Sequence, residues 1–208
     1  YFLNISFKNK VKLTDNRDIA CSVDLGINTS ATCSIITSDG TVVARLFINQ
    51  ASEKDRLNSL LGKLSKATRN SGIANVNPNL GRKINNVKKH IAIDTMNKII
   101  AFAQANNATV IVFEHLGKMK VPKGFYGAKR LRFKLQYWTK QTIYHKTLDK
   151  AHSLGLRVSR VSAKNTSRLA HDGSGMVSRG EIDPNKLYKR KASKNYSICK
   201  FTTGKIYN

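Results

Sequence analysis

Acidic residues are scarce in this chain of 208 residues: 12 Asp and Glu stand against 37 Lys and Arg, for a net charge of +25. So large an excess excludes an ordinary charge-balanced enzyme surface. A folded polycation calls for a polyanionic partner, and nucleic acid is the first to consider, since each neutralised phosphate releases condensed cations. A surface charged only for solubility is the plainer alternative, yet at this level it would attract nucleic acid anyway. Cysteine is scarce too. Cys21, Cys33 and Cys199 are odd in number and include no C-x-x-C pair, which argues against a disulfide scaffold and a complete zinc ribbon and points to a reducing, cytoplasmic setting. No apolar run approaches the roughly 20 residues of a membrane span, the longest covering 108–113, and no signal-peptide pattern opens the chain, so membrane and secreted readings drop out.

What is present can build a core. Hydrophobic residues make up 40% and charged ones 24%, near globular averages, so the chain is expected to fold and not to remain a disordered polycation. Residues 19–49 hold three β-branched runs separated by Gly-containing turns, with Ser38-Asp39-Gly40 as a hairpin signal, and predict an antiparallel meander. Leu57, Leu60, Leu61 and Leu64 then fall on one helical face. A break over 71–81 precedes a longer helix carrying Ile84, Val87, Ile91, Met96, Ile99, Ile100 and Phe102 and ending near Asn106-Asn107.

Residues 109–114 form a short unbroken apolar run, the pattern of a strand covered on both faces, and the run ends in Glu114. Leu131, Leu135, Trp138, Tyr144, Leu148 and Ala151 predict one further helix, with Trp138 in the core, leading into a strand over 155–161. From residue 162 the composition shifts to Ser, Gly, Asn, Lys and Arg around short β-prone pieces, which reads as a weakly cored appendage. The order βββ-α-α-β-α-β predicts an α/β fold with a ribonuclease-H-like mixed sheet flanked by helices. A two-helix insertion over about 51–107 and a small basic, β-rich C-terminal insertion complete it.

With acids so few, the position of each one carries information. Asp24 lies on the first predicted strand and Glu114 at the end of the fourth, both at edges where a sheet can present side chains to a cleft. If those strands are neighbours, the two carboxylates converge and can hold a hard divalent cation, Mg²⁺ or Mn²⁺, which keeps waters for substrate phosphate. The chemistry implied is phosphodiester hydrolysis by two metal ions about 4 Å apart. The plainer alternative makes Asp24 a turn residue and Glu114 a surface charge. Paired carboxylates in a protein that binds a polyanion argue against it, since they repel phosphate unless a cation lies between.

Val-Asp-Leu-Gly-Ile-Asn at 23–28, Val-Phe-Glu-His-Leu at 112–116 and Asn-Thr-Ser at 165–167 resemble the RuvC-type nuclease core of the TnpB (OrfB) transposon proteins. That family comprises RNA-guided DNA endonucleases, often labelled transposases and related to type V CRISPR effectors. The resemblance implies that Asp24 and Glu114 are catalytic acids and metal ligands. It also implies that Asn165, Thr166, Ser167 and Arg168 open a nucleic-acid-binding insertion over 163–208. Residues 19–162 would be the nuclease core and 1–18 the tail of an upstream β-domain.

The partners implied are target DNA and, through a longer protein, a guide RNA. The family's third acid would follow residue 208, where the chain is expected to stop short of it and therefore to be inactive or nearly so. Asp172 and Asp183 sit in turn contexts unsuited to that role. The family's zinc position would be degenerate here, with Cys199 alone and His171 a poor partner, so no structural zinc is expected.

Lys118, Lys120, Lys123, Lys129, Arg130, Arg132 and Lys134 follow Glu114 and are candidates to seat phosphates. Phe125 and Tyr126 among them either stack on unpaired bases or pack their own loop. Lys186, Lys189, Arg190, Lys191 and Lys194 form a second cationic stretch, and His115 is either a proton shuttle or a structural neighbour of Glu114. A decayed nuclease fold retained for binding is the second functional reading, and a stand-alone ribonuclease-H-like or Holliday-junction nuclease the third.

Overall fold

The computed structural model describes residues 3, 5, 10–13, 18–73, 77–117, 128–164, 166, 169, 174–182, 194–204 and 206–207. The chain divides into two compact units, Tyr1–Val161 and Ser162–Asn208.

The first unit is built on five strands. β1 (Ile19–Asp24), β2 (Ala31–Thr37) and β3 (Val42–Ile48) form the expected antiparallel meander. The β2–β3 turn closes through Asp39, whose carboxylate accepts hydrogen bonds from the Thr37 and Thr41 hydroxyls, while Gly40 takes φ +86, a conformation that costs glycine nothing. These hydroxyl bonds, Thr37 first, hold the Asp39 carboxyl down at about 2. β4 (Val110–His115) lies parallel to β1, and with β5 (Arg157–Ser162) the strand order is β3-β2-β1-β4-β5. Because β1 and β4 are parallel, the chain must cross over between β3 and β4, and two helices make that crossing.

Those helices are α1 (Ala51–Ser71) and α2 (Pro78–Ala105). Pro78 occupies the first turn of α2, where no backbone donor is needed, and the Asn77 side chain accepts the Leu80 amide at 3.0 Å. The apolar stripe of α2 serves two partners. Its first half joins Ile84, Val87 and Ile91 to Leu57 and Leu61 of α1, while Met96, Ile99, Ile100 and Ala103 enter the main core beneath the sheet. Cys21, Val23, Cys33, Ile35, Ile111 and Phe113 supply the sheet's side of that core. Cys33 shares a hydrogen bond with Cys21 and is buried, and both effects push its thiol up and keep it protonated.

Two expectations need correction. The single helix predicted after Glu114 is two, α3 (Ala128–Tyr137) and α4 (Lys140–Ser153). The apolar period slips there: Leu131, Leu135 and Trp138 keep helical spacing, but the next core residue is Ile143, five residues on. Breaking at Trp138-Thr139 lets Tyr137 pack with the α1–α2 cluster while Ile143 and Ala151 reach the main core. Trp138 itself is half-buried at the break and packs against the core's edge. Secondly, β4 is covered on one face only. Ile111 and Phe113 are buried, whereas Val112 and Glu114 on the other face are half-buried.

The second unit holds an antiparallel sheet ordered β6-β7-β8, from β6 (Ser178–Ile182), β7 (Lys194–Lys200) and β8 (Ile206–Tyr207). A bridge pairs Leu169 with Met176, and Phe201 is buried.

Candidate active site

Register brings the two acids together. Val23 pairs with Phe113 across the parallel β1–β4 ladder, so Asp24 and Glu114 follow at the next position on both strands. Neighbouring strands run about 4.8 Å apart, and matched positions share a face. Asp24 also pairs with Thr32, and Thr32 with Phe47, which continues one row across the open face of the sheet to β3.

Asp24 reaches solvent, yet neighbouring protein atoms crowd its carboxyl. Its pKa is raised above 3.8, first by that desolvation and then by the negative charge of Glu114. Like charges held beside each other at a strand end favour either a proton or a cation between them. The chain leaves β1 through a tight turn in which a Cβ on Gly26 would meet the Thr29 carbonyl oxygen at 2.6 Å, so the Asp24-Leu25-Gly26 sequence has a steric cause.

A buried polar latch fixes that turn. The Ser30 hydroxyl donates to Gln50 Oε1 at 2.7 Å, and Gln50 Nε2 donates to the Ile91 carbonyl at 3.1 Å and to Asp94 at 2.7 Å. The single Thr95 hydroxyl proton is shared between the Ile91 carbonyl at 2.7 Å and the same Gln50 oxygen at 3.1 Å. Every buried atom of the Gln50 amide is thereby used, and the segment between β1 and β2 is tied to α2.

On the Glu114 side, cations gather that the sequence did not single out. Lys140 donates to the Leu116 and Gly117 carbonyls at 3.1 and 2.8 Å and lies 5.1 Å from the Trp138 ring centre, and burial pulls its pKa down. The Arg160 guanidinium lies 3.5 Å over the Tyr144 ring, which in turn meets Phe113 edge-on. Arg160 Nη1 also approaches His115 Nδ1 at 3.5 Å. Glu114, His115, Lys140 and Arg160 line one small cleft of about 20 Å³, room for a water. None of these cations had a sequence signal beyond its charge, because their hydrogen-bonding partners lie 23 to 45 residues away.

The remaining candidates fare unevenly. Arg132 is exposed on α3, and Lys134 lies half-buried with Nζ 3.4 Å from Asn28 Oδ1. Lys129 and Arg130 fall in α3, but their side chains lie outside the described residues, as do Lys118, Lys120, Lys123, Phe125 and Tyr126. Thr166 donates to the Ala163 carbonyl at 3.1 Å within the second unit. Asn165, Ser167, Arg168, His171, Asp172, Asp183, Lys186, Lys189, Arg190 and Lys191 lie outside the described residues. Among the described residues no group of three His, Cys, Asp or Glu side chains is placed to hold a metal ion. The Asp24–Glu114 pair offers two hard oxygen donors, which suits a cation that fills its remaining positions with water and phosphate.

Comparison with known proteins bears on the fold. No family model matches the chain, and no curated protein sequence matches it. Among solved structures it is similar to Cas12f1 in a complex with sgRNA and target DNA, at TM-score 0.56 and 18% identity over 75% of this chain and 39% of that one. A Cas12f ternary complex gives TM-score 0.57 and 19% identity over 80% and 33%. A T. thermophilus RuvC bound to a Holliday junction substrate is also matched, but its TM-score of 0.39 at 8% identity carries no argument. The chain thus spans between a third and two fifths of the length of the Cas12f chains. Their likeness and the strand order β3-β2-β1-β4-β5 together make the fold ribonuclease-H-like, as the sequence predicted.

Proposed function

We propose that this chain is the nuclease core of an RNA-guided DNA endonuclease of the transposon-associated type, cutting DNA phosphodiester bonds with Asp24 and Glu114 as metal ligands. The observation that carries the reading is the matched placement of the two acids at the ends of neighbouring parallel strands, with Glu114 raising the pKa of Asp24. Two carboxylates that repel each other inside a protein of net charge +25 have no structural benefit to offer, and a divalent cation relieves the repulsion. The fold shared with Cas12f, whose structures hold guide RNA and target DNA, supports the same partners here. Residues 163–208 would be the basic insertion that contacts nucleic acid, with 1–18 the tail of a preceding domain.

Bound between Asp24 and Glu114, Mg²⁺ or Mn²⁺ would activate a water and neutralise the leaving oxygen, in pairs of ions when two are held. The chain's own part is to orient. The sheet fixes both acids, the Gln50 latch fixes the turn after Asp24, and Lys140 and Arg160 add positive charge to the cleft that Glu114 also lines, which would favour the approach of a phosphate.

The test is divalent-cation binding by calorimetry and cleavage of single-stranded DNA, each with the parent chain and with Asp24→Asn. The reading expects the parent to bind Mg²⁺ and the variant to lose it, with cleavage falling about 100-fold, or ~2.7 kcal/mol in barrier. Equal cation binding by both would overturn it. The second reading, a binding module without catalysis, differs in its outcome: that module would bind DNA steeply with falling salt yet take up no Mg²⁺.

A further inference from the structure

Beyond the acid pair, the first unit contains a cavity of about 290 Å³, walled by the turn after β1, by α1 and by the α3–α4 break. Its lining combines three aromatic rings, Phe133, Tyr137 and Trp138, with the ammonium groups of Lys54 and Lys134 and the single carboxylate of Asp55. That is the smallest size of a typical ligand pocket, and the mixture of flat apolar walls with cations at the edge suits one flat heterocycle attached to an anion.

Several details point the same way. Phe133 is 39% exposed, large for an aromatic ring, and leans on Tyr137 with ring centres 5.0 Å apart. The buried indole Nε1–H of Trp138 has no hydrogen-bond partner. Lys54 donates to the Asn28 carbonyl, Lys134 approaches the Asn28 side chain, and neither is ion-paired among the described residues. Partial burial lowers the pKa of Lys54, a cost that a bound anion would offset. The cavity wall begins at Gly26, two residues beyond Asp24, so its Cα lies within about 8 Å of that of Asp24.

We propose that this cavity receives one unpaired nucleobase of the DNA strand seated at Asp24 and Glu114, stacked against the Phe133–Tyr137–Trp138 wall, with Lys54 and Lys134 on its phosphate. The inference rests on the nuclease reading for the presence of that strand. It adds a role for the residues around the cavity: an extruded base next to the scissile phosphate fixes the register of the strand, and a stacking wall is tolerant of sequence.

Trp138 is the chain's one tryptophan, so its fluorescence reports on the cavity without cleavage. A ten-nucleotide single-stranded DNA is titrated into the full 208-residue chain in EDTA, beside an abasic strand of the same length and charge. The proposal expects the DNA to quench Trp138 and the abasic strand to bind by charge without quenching. Phe133→Ala removes an exposed ring, which the fold tolerates, and should weaken DNA binding about tenfold while leaving the abasic strand unaffected. Equal quenching by both strands, or DNA binding indifferent to Phe133→Ala, overturns it. Because no metal is present, these outcomes stand apart from the nuclease reading. Quenching without Mg²⁺ uptake sinks that reading alone, and Mg²⁺ uptake with DNA bound but not quenching sinks the cavity alone.

Discussion

Successive residues of β1 and β4 face opposite environments. Cys21, Val23, Ile111 and Phe113 are at most 1% exposed and pack on α2 and α4, whereas Ser22, Asp24, Val112 and Glu114 alternate with them on a face the helices leave uncovered. Period-2 geometry makes this separation automatic: a side chain cannot belong to the core and to the open face at once. One set of positions therefore holds the sheet together and the other is free for chemistry, with the backbone as the only shared part. Substitutions on the two faces should have effects of different kinds.

The largest effect is expected at Phe113. Its ring is 1% exposed and meets Tyr144 edge-on at 5.4 Å, so Phe113→Ala removes both burial and an aromatic contact. Urea unfolding should show a loss of about 3–5 kcal/mol, enough to bring a domain of ordinary stability close to unfolding. One residue on, Glu114→Gln should leave the unfolding free energy from urea within about 0.5 kcal/mol of the parent. On the nuclease reading it should instead lower cleavage by about 100-fold, or ~2.7 kcal/mol in barrier. If both variants unfolded at the same reduced urea concentration, the two faces would not be separable.

A smaller effect sharpens the contrast by touching the joint between the faces. Gln50→Ala takes the acceptor from the Ser30 hydroxyl and the amide donors from Asp94 and the Ile91 carbonyl, while Thr95 keeps the Ile91 carbonyl, and it frees the turn after Asp24. A loss of about 1–3 kcal/mol in urea unfolding follows from the unpaired buried groups. Mg²⁺ affinity should fall with it, because the turn positions Asp24. Unchanged affinity would show that β1 alone places the acid.

Much of this was legible in the residues. β-Branched runs between turn signals in 19–49 marked β1 to β3, and the apolar run before Glu114 marked β4 but not that only one of its faces is covered; three- and four-residue spacing marked α1 and α2, because that spacing reports a single buried face. The acid pair was legible for a different reason: scarcity made two carboxylates at strand ends conspicuous. The helix break at Trp138-Thr139 was not, since apolar residues continue through it and only the slip to Ile143 reveals that two different cores are being served. The Gln50 latch and the roles of Lys54, Lys140 and Arg160 were hidden as well. They depend on groups far away in sequence, as with Lys54 and Asn28 at 26 residues' separation, and a lysine among so many carries no mark of its own.

The smallest effect compares two aspartates whose surroundings push them in opposite directions. Asp39 is held at about 2 by hydroxyl donors, so the stability it contributes is fully present above its ordinary value of 3.8 and is lost as pH falls through about 2. Asp24 is raised by desolvation and by Glu114, so its charged form burdens the folded chain: the cost is absent below 3.8 and grows as pH rises through the shifted value. In EDTA, Asp24→Asn should therefore melt higher than the parent at neutral pH, by an amount that solvent screening keeps small, and the gap should close in acid. Asp39→Asn should melt lower than the parent near neutrality and converge with it toward pH 2. Charge repulsion in a protein this basic also grows in acid, but it is common to all three chains and cancels in the differences. Mg²⁺ at neutral pH should raise the parent's melting temperature and leave that of Asp24→Asn unmoved. A pH-independent gap between the parent and Asp24→Asn would mean that Glu114 does not crowd Asp24, and the pair would lose its claim to a cation.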